Sequence, residues 1–171
     1  MSLDERPIRT LLAKEEIREL ALLYCRGVDR KDYNLLRTLY TRDGTDTHGR
    51  HFDGPAGEYV DFLAGALTTA RIGAHYLCNH LIEVDGETAQ GEVYALGFHQ
   101  MPDGNGGMRE EFVGVRYLDH YRREDGRWRF ASREVMFDLE HDRPIAGLPP
   151  APDGVEDPSY RVLSGRLFSR G

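Results

Sequence analysis

Between Gly73 and His99 the chain reads GAHYLCNHLIEVDGETAQGEVYALGFH. Two runs rich in β-branched and aromatic residues flank a VDGET turn, the pattern of a long β-hairpin. Strand side chains alternate with period two, so unbroken alternation puts His75 and Asn79 on one face and Cys78 and His80 on the other. An imidazole and a carboxamide sharing a face mark either solvated surface or the wall of a cavity. Two more turn signals, PDGNGG and REDGRW, continue the series. They predict strands over about 74–84, 88–101, 108–122 and 127–138, a meander of long antiparallel strands.

Upstream the period changes to that of a helix. In AKEEIRELALLYCRGVDRKD, residues 13–32, Ile17, Leu20, Ala21, Tyr24, Cys25 and Val28 form one apolar stripe. Glu15 and Glu16 in the first turn and Arg30 and Lys31 in the last would suit the helix dipole. A short second helix, DYNLLRTLY, has Asp32 as its N-cap. The turn-rich TRDGTDTHGRHFDG holds one or two short strands. GPAGEYVDFLAGALTTAR reads as a third helix with Pro55 in its first turn, ending near Arg71. Three helices followed by a meander predict an α+β domain, with helices on one face of a curved sheet. Five of the eight prolines fall between Pro144 and Pro158. The reading is therefore a domain over 1–142 and a Pro-rich C-terminal arm over 143–171, lying on a neighbouring subunit or closing the cavity mouth. DPSYRVL adds a short helix capped by Asp157.

The sequence has 171 residues, 40% apolar and 30% charged, with a net charge of −7. That balance, without Lys/Arg runs, argues against a nucleic-acid partner. No apolar run reaches the roughly 20 residues of a membrane span. Cys25 and Cys78 form no CxxC and imply no disulfide framework; buried, reduced thiols in a cytoplasmic protein are expected. GxGxxG, Walker and GxSxG motifs are absent, so no cofactor is implied. His48 and His51 in HGRH, near Asp46 and Asp53, lack a third ligand in a fixed relation, and no metal site is assigned. GMREEF reads as a solvated strand edge.

Two polar residues stand against the apolar pattern. Asp29 lies at the edge of the first helix's stripe, where it reaches either solvent or an interior space. His75 is either a structural hydrogen-bonding residue or a base. If the helix packs on the concave face of the meander, the two converge, and an Asp accepting from an imidazole fixes its tautomer and leaves the other ring nitrogen for proton abstraction. Arg133 shares its face with Ala131, Val135 and Phe137, so its guanidinium needs a partner, Asp29 or a substrate oxyanion, or else forms a structural pair. Val135 and Phe137 then join Asn79 as substrate-contacting residues.

YCRGVDRKDYNLLRTLYTRDG, AHYLCNHLIEVDGETAQGEVYALGFH and VGVRYLDHYRREDGRWRFASREVMFD together resemble the SnoaL-like branch of the nuclear transport factor 2 superfamily, over about Ala13 to Asp138. Members include polyketide cyclases, scytalone dehydratase, hexachlorocyclohexane dehydrochlorinase and bile-acid 7α-dehydratase. The resemblance implies a cone of curved sheet and helices around a deep cavity. It puts the catalytic Asp–His dyad of the dehydrochlorinase and dehydratase members on Asp29 and His75. A tyrosine of the bile-acid enzyme falls on Tyr24, and a last-strand arginine on Arg133. Where that enzyme has an Asp on the second long strand, this chain reads LGFHQ with His99 nearby; the dehydrochlorinase has Lys where this chain has Tyr24.

The resulting expectation is a cofactor-independent lyase or isomerase acting on a hydrophobic small molecule, with catalytic residues His75, Asp29, Tyr24 and Arg133. The alternative is a non-catalytic binding or assembly module, such as a dioxygenase β-subunit-like protein. From Glu110 to Tyr121 neither face of the strand is plainly polar, so both need cover. A homo-oligomer, trimer before dimer, is expected to supply it.

Overall fold

In the computed structural model, which describes residues 5–146 and 157–171, the opening hairpin forms one edge of a six-stranded sheet. Strands β1 (Tyr40–His48), β2 (Phe52–Pro55), β3 (Ile72–Asp85), β4 (Thr88–Pro102), β5 (Met108–Glu124) and β6 (Arg127–Ile145) lie in the order β2-β1-β6-β5-β4-β3. β3 to β6 are the antiparallel meander; β1 runs parallel to β6 and antiparallel to β2. Helices α1 (Arg6–Asp29), α2 (Tyr33–Leu39) and α3 (Ala56–Ala66) complete the α+β architecture. Among the described residues no helix is long and apolar enough to cross a membrane.

The stripe on α1 is its buried face, from Ala13 through Ile17, Leu20, Tyr24 and Cys25 to Val28. The helix starts well before that stripe, at Arg6, because Pro7 serves its first turn and needs no burial. Glu15 and Glu16 are therefore mid-helix, and Lys31, with φ of 53°, lies beyond the end. Asp32 caps α2 by accepting from the Leu35 amide at 3.1 Å. α3 stops at Ala66, short of the expected Arg71.

Strands this long cannot stay flat, and one extra residue at each of three places bends them. In β3 the register shifts between Leu77, opposite Ala95, and His80, opposite Val93. The extra residue resets the alternation: His80 turns inward like His75, while Cys78 and Asn79 are both exposed. In β6, Ala131 and Asp138 are skipped in pairing with β5. Phe130 and Arg133 consequently both point inward, although strict alternation puts them on opposite faces.

The concave face of the bent sheet carries Val93, Ala95, Val113, Val115, Tyr117 and Val135. Among the described residues no other element of the chain covers the convex face. Tyr76 (58% exposed), Leu81 (70%) and Leu139 (53%) lie open there, and ring contacts run from Tyr76 to Phe98, Phe112 and His141 across four strands.

Residues 147–156 of the Pro-rich arm lie outside the described residues. Residues 157–171 pack on the chain's own α1 and α2. The Arg26 guanidinium donates to Ser159 Oγ at 3.0 Å and to the Phe168 carbonyl at 2.9 Å. Asp157 accepts from the Ser159 amide at 2.8 Å, at the start of α4 (Ser159–Val162).

α1 and α2 approach each other at Gly27, where a Cβ would lie 2.7 Å from Cδ2 of the fully buried Leu36. Gly27→Ala gains about 1 kcal/mol of helix propensity but forces overpacking worth about 1–3 kcal/mol. Net destabilisation is expected, read as a lower urea midpoint; a raised midpoint would show that Leu36 has room to move.

Candidate active site

Between the concave face of the sheet and helices α1 and α3 lies a cavity of about 250 Å³. Val28, Leu63, Leu67, Val113, Val115, Val135 and Phe137 make its walls apolar. Its polar lining is Tyr24, His48, His51, Tyr59, His75, His99, Arg109 and Glu111.

Asp29 ends α1 and reaches β3. Its Oδ1 lies 2.6 Å from His75 Nδ1, and its Oδ2 accepts from the His75 backbone amide at 3.1 Å. One carboxylate thus grips one residue by ring and backbone, fixing both the tautomer and the plane of the imidazole. A carboxylate at a helix C-terminus meets the negative end of the dipole, so these two donors from β3 offset that cost. Nδ1 is committed to Asp29, which leaves Nε2 for the cavity. Opposite His75 on β4 stands Gly97, where a Cβ would lie 2.9 Å from Val113 and 3.4 Å from the His99 ring. The glycine makes room for two imidazoles, whose centroids are 5.2 Å apart.

His99 Nδ1 is 3.4 Å from Glu111 Oε2, near enough for charge attraction but not aligned as a hydrogen bond. His99, then Arg109 and His51, hold the Glu111 carboxyl below its ordinary range despite burial. Arg109 in turn pairs with Asp142 at 2.8 Å. Deeper in, Tyr24 and Tyr59 share a 2.6 Å hydrogen bond between their hydroxyls. Burial, followed by the neighbouring Asp46 charge, holds the Tyr24 phenol well above its ordinary value; burial does the same for Tyr59. Two protonated phenols have two protons and use one between them, so one O–H remains to donate elsewhere. On β1, fully buried Asp46 accepts from Tyr40 Oη at 2.7 Å and meets His48 Nδ1 at 3.2 Å. His48 stacks on Tyr59, with centroids 5.1 Å apart.

The structure therefore brings His75, Asp29, Tyr24, His99, Val135 and Phe137 to one cavity. It does not bring Asn79, which the β3 bulge turns to solvent. Nor does Arg133 line the cavity: its guanidinium is bidentate to Asp119 at 2.8 Å, with both side chains fully buried. It lies 4.1–4.2 Å from the ring centroids of Tyr24, Tyr117 and Phe130, and so reaches the cavity only through their rings. Its partner is Asp119, not Asp29 or a substrate anion.

Sequence reasoning missed Glu111, Arg109, Tyr59 and the Asp46–His48 pair as cavity residues. For Glu111 the signal existed, since it shares parity with Val113, Val115 and Tyr117 on an unbulged part of β5. For His48 it did not, because the segment reads as turns. Asp53 faces Thr47, which donates to it at 2.9 Å. Among the described residues no three His, Cys, Asp or Glu side chains gather to hold a metal ion.

Residues 9–134 match the SnoaL-like domain, and the chain belongs to that family. It is 28% identical over 121 residues to an uncharacterized protein of Mycobacterium tuberculosis, covering 69% of this chain and 80% of that one. Its fold is similar to hexachlorocyclohexane dehydrochlorinase LinA-type3 from Novosphingobium barchaimii (TM-score 0.71, 21% identity, 85% of this chain and 99% of that one). It is also similar to a candidate scytalone dehydratase from Novosphingobium aromaticivorans (TM-score 0.69, 20% identity, 86% and 97%). An NTF2-like protein from N. aromaticivorans matches at TM-score 0.61 with 23% identity (80% and 92%), so the fold is NTF2-like.

The ion pair beneath the cavity extends outward through Tyr121, whose hydroxyl donates to Asp119 Oδ2 at 2.8 Å and lies 3.1 Å from His80 Nε2. Burial lowers the His80 pKa from 6.5 to about 4, with Arg18 and Arg133 adding and Asp119 opposing. Between those two values the unfolded chain takes up a proton that native His80 refuses. Stability contributed by neutral His80 is thus present above about 6.5 and declines as pH falls toward about 4. His80→Gln keeps an N–H for Tyr121 and should flatten this acid limb by up to about one proton in urea titrations at stepped pH. An unchanged slope would place the proton uptake elsewhere.

Proposed function

We propose that this SnoaL-like domain is a cofactor-independent lyase or isomerase that abstracts a proton from carbon in an uncharged, hydrophobic small molecule. The observation that carries the reading is the double grip of Asp29 on His75 at the wall of an apolar cavity. His75 Nε2 takes the proton, and Asp29 holds the ring and balances the imidazolium that forms. The free O–H of the Tyr24–Tyr59 pair suits a carbonyl oxygen gaining negative charge. Arg133 supports this from behind, since a cation stacked on the Tyr24 ring favours charge developing at its hydroxyl. The likeness to a dehydrochlorinase and a candidate dehydratase agrees with such chemistry.

The substrate class follows from charge and size. Arg109 is paired with Asp142 and Arg133 with Asp119, so among the described residues the cavity has no unpaired lysine or arginine to receive a carboxylate or phosphate. A volume of about 250 Å³ suits a molecule of one or two rings rather than a larger polycycle.

Benzyl methyl ketone, a neutral aromatic carbon acid, tests the base. In D₂O the wild-type chain should speed deuterium uptake at the acidic carbon, followed by NMR. His75→Ala should slow this by about 100-fold or more, the low end of general-base effects, and Asp29→Asn nearly as much. A wild-type rate no higher than that of His75→Ala removes the assignment.

The uncovered convex face supports a further reading, a homo-oligomer in which a second copy packs on the Tyr76–Phe98–Phe112 stripe. Tyr76→Glu should then shift the mass seen by light scattering toward the monomer. A wild-type monomer at micromolar concentration contradicts it.

A further inference from the structure

Outside the cavity the chain forms a second hollow, of about 370 Å³, between α1, α2, the start of β6 and residues 166–171. No residue lines both spaces. The floor of the second is apolar: Leu20 and Leu23 come from α1, Leu35 and Leu39 from α2, Trp128 from β6, and Leu167 from the single turn Arg166–Phe168. Leu20, Leu39 and Trp128 belong to the main core, and the partly buried Leu23 and Leu35 pack on it, so the floor is fixed from beneath. Its volume suits a medium-length chain or a single ring.

The rim sorts what can enter. Arg127 and Arg166 are exposed, and among the described residues neither has a carboxylate partner. Nearby acids are taken, Glu16 by Arg123 at 3.0 Å and Asp125 by Arg42 at 2.7 Å. Glu19 is the one lining acid without a cation among the described residues. Two unpaired guanidiniums therefore stand against one unpaired carboxylate, and positive charge is in excess. The wall adds donors. Arg129 gives one N–H to the Thr38 carbonyl, but its Nε and the Trp128 Nε1, both buried, have no hydrogen-bond acceptor. Buried N–H groups are rarely left unmet, so this wall is short of an acceptor. The cavity beside His75 is the reverse, since its Arg109 is already paired with Asp142.

We propose that this hollow binds an amphipathic monocarboxylic acid, with its apolar part on the leucine and tryptophan floor and its carboxylate between Arg127 and Arg166. The floor supplies affinity, and the arginines supply the choice of an acid over an alcohol. Arg166, Leu167, Ser169 and Gly171 belong to the segment whose Phe168 carbonyl receives Arg26. A seated acid therefore also ties that segment to α1 and α2. The inference does not depend on His75 being a base, and charge alone sends an acid and a neutral substrate to different spaces.

Trp128 is the only tryptophan in the sequence, so its emission reports directly on this floor. Octanoate, octan-1-ol and octylammonium carry the same chain with a negative charge, no charge and a positive charge. Titrated into the wild-type chain, octanoate should shift the emission to saturation and bind about tenfold tighter than octan-1-ol, with octylammonium weakest. Calorimetry of the same samples detects binding that leaves the emission unchanged. Arg127→Gln and Arg166→Gln, both at exposed positions, should each weaken octanoate severalfold without disturbing the fold. The double variant should bring octanoate down to the affinity of the alcohol, which itself should not move. Absence of saturable octanoate binding by either measurement at millimolar concentration overturns the proposal, as does equal affinity for the three probes. Binding that Arg109→Gln abolishes and the double variant leaves intact places the acid in the cavity beside His75, and overturns it as well.

Discussion

One guanidinium organises this molecule. Arg133 on β6 is locked by two hydrogen bonds to Asp119 directly opposite on β5, roofed by Tyr24 of α1, and flanked by Tyr117 and Phe130. Burial opposes its charge, but Asp119 more than offsets this and keeps it ionised. Asp119 also accepts from Tyr121, which reaches His80 on β3. Three strands and a helix therefore meet at a single ion pair. Such a pair adds little net stability compared with apolar residues of equal volume, yet losing one partner costs about 3–5 kcal/mol. Its contribution is geometric: it sets where β5 and β6 lie relative to α1, and hence where Tyr24 faces the cavity.

The same centre shows what was legible in the sequence and what was not. Period-two alternation and three turn signals located all four long strands, because those features are local. The apolar stripe likewise located the helix that ends at Asp29. A bulge, by contrast, is one residue that pairs with nothing, and neither Cys78–Asn79 nor Ala131 differs in composition from an ordinary strand position. Alternation counted through such a residue assigns every later side chain to the wrong face. That is why alternation assigns Asn79 to the cavity and separates Phe130 from Arg133. His75 was placed inward because it lies before the bulge in β3. Asp46 and His48 were lost for another reason. Their strand is paired in parallel with β6, far along the chain, and no local pattern announces such a partner.

The electrostatics of the cavity follow from which charges are compensated. Arg109 and Arg133 each have a carboxylate, and the phenols of Tyr24 and Tyr59 keep their protons. Asp29, Asp46 and Glu111 instead face imidazoles. In a volume walled by Val113, Val115, Val135 and Phe137, the groups left to change charge in the proposed reaction are therefore the histidines. Low polarity around them strengthens each carboxylate–imidazole attraction, and makes a proton more costly to hold where no carboxylate waits.

Asp29 can grip His75 only if the end of α1 stays in place, and a helix end is ordinarily the part that frays. Here it is held from outside. Arg26, one turn before Asp29, is bound by Ser159 and the Phe168 carbonyl and lies over the Tyr160 ring. Three residues after Asp29, Asp32 caps α2 with one oxygen, while its other accepts from the Gly171 amide at 3.1 Å and from Tyr160 Oη at 3.3 Å. Residues 157–171 thus clasp both sides of the turn that carries the carboxylate, on the face away from the cavity. Residues 157–171 do not line that cavity, yet they restrain the one helix position on which the 2.6 Å contact to His75 depends. Distance from the site is no measure of its importance to the site's geometry.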